Sequence, residues 1–167
     1  VLCYDEPEVC ALNLNNQIRT MDIGASQRAA TSALISMLES KADGDTLLLA
    51  SEHRRSKAGS RAEMLWGDAA ASVLIGSDNV IAECLAIETF AVDFVDHYRG
   101  EESSFDYDWE ERWIRDEGFM KSVPGVVKKV LESASITAAD INHFILPTDQ
   151  ARTPGVLAKK LGIDGEA

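Results

Sequence analysis

The chain has 167 residues, 46% of them hydrophobic and 26% charged, enough for a domain with a sizeable core. A net charge of -12 and a pI near 4.6 repel polyanions as a whole and argue against a nucleic-acid partner. No apolar run approaches the ~18 residues of a membrane span. Three cysteines, Cys3, Cys10 and Cys84, are odd in number and stand at no metal-ligand spacing, so a reducing cytoplasm, inert thiols and no bound metal are expected.

The opening Val1-Leu2-Cys3-Tyr4 has neither a Met nor a helix cap, and the chain is expected to be a fragment or the ordered part of a larger protein. Met21-Asp22-Ile23-Gly24-Ala25-Ser26-Gln27-Arg28 reads as a strand end turning sharply into a helix, the geometry from which many enzymes present a nucleophile. Over residues 25–39, Ala29, Ala30, Ala33, Leu34, Met37 and Leu38 recur at helical spacing, which predicts a buried, alanine-rich helix. Lys41-Ala42-Asp43-Gly44-Asp45 stops it. The apolar run 46–51 suits a central strand covered on both faces. Next comes the chain's basic cluster, Arg54, Arg55 and Lys57 with His53 and Arg61, readable as a solvated loop or as a rim for anionic groups. Trp66-Gly67-Asp68-Ala69-Ala70-Ala71-Ser72-Val73-Leu74-Ile75-Gly76 predicts a buried strand in a crowded place, its turn fixed by Asp68, because tiny side chains let other backbone come close. Ser77-Asp78-Asn79 then turns into a second strand over 80–87, completing a hairpin.

Residues 90–118 interleave Phe94, Tyr98, Phe105, Tyr107, Trp109 and Trp113 with many carboxylates. They are too aromatic for disorder and too acidic for core throughout, so the rings are expected to pack on the body or on a partner subunit. Asp93 and His97, four apart, suit a charge pair on a helix. Ser122-Val123-Pro124 is expected to open a helix whose stripe is Val126, Val127, Val130, Leu131 and Ala134. Thr137 and Asp140 have capping-box spacing, 142–146 reads as a strand, and Thr153-Pro154 starts a last helix ending at Gly162. The recurring order of strand and helix argues for a layered α/β fold.

The elbow at Ser26 and Gln27 and the Gly67-Asp68 strand together resemble the thiolase-like condensing enzymes, in the branch of hydroxymethylglutaryl-CoA synthase and 3-oxoacyl-ACP synthase III. Asp93-Phe94-Val95-Asp96-His97-Tyr98-Arg99, Trp109-Glu110-Glu111-Arg112-Trp113, Ala139-Asp140-Ile141-Asn142-His143-Phe144-Ile145-Leu146-Pro147 and Leu157-Ala158-Lys159-Lys160-Leu161-Gly162 extend the resemblance along nearly the whole chain. It implies a layered α-β-α fold of two pseudo-symmetric halves. Residues 1–88 then fall in the first half, 89–120 form an acidic aromatic insertion, and 121–167 begin the second half. It further implies acyltransferase chemistry on acyl-CoA or acyl-ACP thioesters, with no separate cofactor. A homodimer, or a hetero-oligomer with another thiolase-like subunit, is the implied assembly.

Carried over residue by residue, the resemblance places the acyl-accepting Cys at Gln27, and an amide cannot form a thioester. The catalytic His falls near Pro147 or Thr148, where none stands; His143 lies about four residues early. Ser26 is the neighbouring hydroxyl, without a visible base. Arg54, Arg55 and Lys57 are the candidates for the CoA or carrier-protein phosphate. Three readings follow: a synthase-like acyltransferase by kinship, a catalytically silent subunit scaffolding an active partner, or a decarboxylase of the kind that carries Gln at this position.

Overall fold

The computed structural model describes residues 12–15, 17–24, 26–40 and 44–164; Cys3, Cys10 and the opening segment lie outside the described residues. The chain divides into two compact units, one of Val1–Ala50 with Ala70–Val80 and the other of Ser51–Ala69 with Ile81–Ala167. Among the described residues, helices are mixed with two small sheets, each of two strands.

In the first unit, helix α1 (Ala29–Glu39) begins four residues later than the pattern predicts, after the turn at Ser26 and Gln27. Only Ala33 is buried in it. Strand β1 (Thr46–Glu52) pairs with β2 (Ala69–Ile75) as a two-stranded ribbon. The expectation of two buried strands is corrected here. Leu48 alone is buried in β1, and β2 is exposed from Ala69 through Leu74, because a two-stranded ribbon covers neither of its own faces. Residues 82–92 form no strand, so the expected hairpin is absent.

The second unit is helical with one short hairpin. Helix α2 (Arg61–Leu65) lies inside what the sequence suggests is a loop, and side-chain capping of its start by Ser60 explains it. Ser60 Oγ accepts from the Glu63 N–H at 3.3 Å, and Glu63 reaches back to accept from the Gly59 N–H at 2.6 Å. Strands β3 (His97–Tyr98) and β4 (Tyr107–Asp108) run antiparallel, with His97 opposite Asp108 and Tyr98 opposite Tyr107.

Helix α3 (Glu111–Trp113) continues through a π-helical segment, Ile114–Phe119, into α4 (Met120–Ala134). The helix therefore starts eleven residues before the expected opening at Ser122. Glu110 caps it by accepting from the Trp113 N–H at 3.1 Å, and Pro124 sits in the interior instead of the first turn. A proline there has no N–H for the carbonyl four residues back, which is that of Met120. Lys160 Nζ donates to that Met120 carbonyl at 2.9 Å, replacing the missing intrahelical bond. Gly118 is buried under Phe94, whose ring lies 2.7 Å from where a Cβ would stand, so a larger residue there has to displace that ring.

The expected α4 stripe is half-buried at all five positions, while Lys128, Lys129, Glu132 and Ser133 face solvent. The Thr137 and Asp140 box forms as expected: the Thr137 N–H and hydroxyl both donate to Asp140 Oδ2, at 2.8 and 2.7 Å. Residues 142–146 make only an isolated bridge at His143 in place of the expected strand. Helix α5 (Thr153–Leu161) ends as predicted at Gly162, left-handed at φ 73°; the N–H of Ile163 reaches the Ala158 carbonyl at 2.9 Å. Leu157, Ala158 and Ile163 are the best-buried apolar residues of this unit.

Candidate functional site

The elbow forms in the first unit. The Arg28 N–H donates to Ser26 Oγ at 3.2 Å and the Ala29 N–H to the Ser26 carbonyl at 3.1 Å, winding residues 26–28 into the turn that enters α1. Gln27 thus stands two residues before the helix, exposed, where the first N–H groups lack intrahelical acceptors and the macrodipole favours negative charge. Ser26 is occupied in the turn as an acceptor.

In the second unit Arg54 organises a different cluster. Its Nη1 donates to Asp106 Oδ2 at 3.3 Å, its Nε and Nη2 to the two oxygens of Glu52 at 3.3 and 3.2 Å, and its guanidinium lies 5.3 Å from the centre of the Trp66 ring. Nη1 also lies 3.2 Å from His97 Nε2. Arginine can only donate, so in the neutral imidazole Nε2 accepts there and the proton is assigned to Nδ1, 2.9 Å from Asp96 Oδ1. The same Asp96 oxygen accepts the His97 backbone N–H at 2.9 Å. Hydrogen bonding to Asp96 raises the His97 pKa above its ordinary value, opposed by burial and by the Arg54 charge. The reciprocal bond lowers that of Asp96.

His97 is therefore on a strand and paired with its neighbour Asp96; the expected helical pair with Asp93 does not form. Asp68, expected to fix a turn, accepts from His53 Nδ1 at 2.8 Å, both side chains being exposed. Glu52, Arg54, Trp66 and Gly67 line an open cleft of about 300 Å³. Of the basic candidates, Arg54 is committed to two carboxylates, whereas Arg55 and Lys57 are exposed. His143 is exposed. Arg61 pairs with Asp149 at 3.1 Å and tethers α2 to the loop before α5. In that loop, buried Gln150 donates from Nε2 to the Glu111 carbonyl at 3.1 Å and accepts from the Thr153 hydroxyl at 2.9 Å. Sequence reasoning missed the Arg54, Asp106 and Trp66 cluster, because nothing local joins Arg54 to Asp106, 52 positions away.

Among the described residues no helix is long and apolar enough to cross a membrane, and no three His, Cys, Asp or Glu side chains are grouped to hold a metal. No family model matches the chain, and no solved structure matches it. A hydroxymethylglutaryl-CoA synthase of Caldivirga maquilingensis is 23% identical over 155 residues, covering 91% of this chain. The chain spans 44% of that relative's length. The similarity is that of a distant relative and points to the thiolase-like condensing enzymes.

Proposed function

We propose that the chain is part of a thiolase-like protein of the hydroxymethylglutaryl-CoA synthase type, built in layers of α-β-α and handling acyl-CoA or acyl-ACP thioesters. The observation that carries this reading is the distant similarity running along 91% of the chain to a protein named for that activity. The turn into α1 supports it, since it puts Gln27 at a helix start suited to stabilising an oxyanion. A Gln side chain has donors for such an oxygen but no nucleophilic atom, so no acyl group is carried at residue 27. Arg55 and Lys57, exposed and not bound to Asp106 as Arg54 is, are the side chains offered to substrate phosphate. Pairing with a like or related thiolase-like subunit belongs to this proposal.

Incubation with radiolabelled acetyl-CoA followed by acid quench tests it, with the longer protein as well as this chain. Binding of acetyl-CoA without covalent label is expected. Label recovered in stoichiometric amount on a peptide containing Ser26 or Gln27 refutes the assignment of that turn, and failure of either form to bind acyl-CoA at millimolar concentration refutes the substrate class.

A further inference from the structure

The β3 and β4 hairpin has two chemically different faces, and only one of them is used by the clusters above. Side chains alternate along a strand, so the pairing of His97 with Asp108 defines one face and that of Tyr98 with Tyr107 the other. The first face turns His97 toward Arg54. On the second, Tyr98 meets Tyr107 with ring centres 5.5 Å apart; Trp109, two residues on, meets Tyr107 edge-on at 5.9 Å; and Trp113 lies 5.3 Å from Trp109. Phe94, stacked on Trp113 at 4.6 Å, closes the row. Four of these rings stay well exposed, from 39% for Trp113 to 55% for Tyr107. Contiguous exposed aromatic surface of this kind marks an interaction site.

Charge decides what fits it. Residues 96–117 hold nine acidic and three basic side chains, half of the net charge of the whole chain in 22 positions. Glu101 and Glu102 are exposed in the segment that joins the two strands. A second copy would bring the same negative field against itself, and nucleic acid or an anionic lipid surface would be repelled. A cation is favoured twice, by the carboxylates and by the ring faces. The molecule already uses this contact where Arg54 lies over Trp66.

We propose that the Tyr98, Tyr107, Trp109 and Trp113 face docks a basic, arginine-bearing segment of a partner protein, its guanidinium groups lying over the rings and its charge met by Glu101 and Glu102. The inference does not depend on the acyl-thioester reading. The test is fluorescence anisotropy of a labelled octa-arginine peptide titrated with the protein, with octa-glutamate as control. Octa-arginine is expected to bind, and octa-glutamate is not. Replacing Tyr107 and Trp109 by Ala leaves net charge unchanged and is expected to weaken binding at least tenfold, whereas Trp109→Phe, which keeps a ring, holds it within threefold. The pair Glu101→Gln and Glu102→Gln is expected to weaken binding and flatten its salt dependence. If circular dichroism shows that the Ala variant loses helix, Tyr98→Ser at the row's end is the deciding variant, with a loss of threefold or more expected. Unchanged binding by the ring variants means plain charge attraction and overturns the proposal. A dimer in sedimentation that Trp109→Ala dissolves also overturns it, by assigning the face to a second copy.

Discussion

The β1 and β2 ribbon and helix α5 are both rich in apolar residues, yet they end up in opposite situations. Leu157 in α5 is fully buried, and Ala158 in the helix and Ile163 just past its end nearly so, whereas in β2 Val73 is 43% and Leu74 67% exposed. The difference is in what each element has to pack against. Helix α5 is fixed at both ends: Gln150 and Thr153 tie its start to the Glu111 carbonyl, Lys160 ties its far end to Met120, and Gly162 lets the chain fold Ile163 back. Its apolar side is thus held against α4. Among the described residues of the ribbon, only Leu48 is buried. Apolar composition states how much surface is available for burial; the polar anchors at element ends determine whether that surface finds a partner.

The largest expected effect breaks the well-packed side of this comparison. Leu157→Ala removes a fully buried side chain from a site pinned at both ends, where neighbours cannot collapse into the space. A loss of about 2–5 kcal/mol is expected in urea unfolding. A loss under about 0.5 kcal/mol would mean that α5 is not anchored as described.

The hairpin holds an intermediate place, since it is secured by ion pairs more than by burial, and pH separates the two. The raised pKa of His97 contributes stability that is fully present below its unfolded value of 6.5 and lost as pH rises through the folded one. The lowered pKa of Asp96 contributes stability present above 3.8 and lost as pH falls through the folded value. The pair therefore contributes most between those two limits. Asp96→Asn is expected to destabilise by under about 1 kcal/mol in that window, discounted for a carboxylate open to solvent, and by less above it. Equal destabilisation at pH 5.5 and pH 9 would show that the two groups are not coupled through ionisation.

How much of this was legible in the sequence follows the same division. Helix α5, its stop at Gly162, the Thr137 and Asp140 box, the turn into α1 and the half-buried stripe of α4 were readable because each is encoded within a few neighbouring residues. The true start of the helix at Glu111 was not, because Pro124 is a start signal unless a distant lysine donates to the orphaned carbonyl, and that lysine lies 36 residues on. The α2 helix was legible but passed over: Ser60 and Glu63 stand at capping-box spacing within a run that basic charge makes look like loop. At the candidate site, the sequence could place Gln27 beside a helix start, while the linkage of Arg54 to Asp106 and His97 needed the fold to bring three segments together.

The smallest expected effect tests the open side of the comparison, and for that reason it discriminates most sharply. Leu74 is an apolar residue in a run of small and apolar side chains, and read by composition it belongs to a core, where exchange for Thr would cost several kcal/mol. At 67% exposure it has little burial to lose, and a β-branched residue suits a strand. Leu74→Thr is therefore expected to change stability by no more than about 0.5 kcal/mol in this chain. The same substitution in the longer protein is the sharper measurement. If the layered arrangement proposed above places further structure over β2, the cost there rises toward the 2–5 kcal/mol of a buried leucine. An equal, near-zero cost in both would leave the β2 face uncovered in either form and would count against that layering.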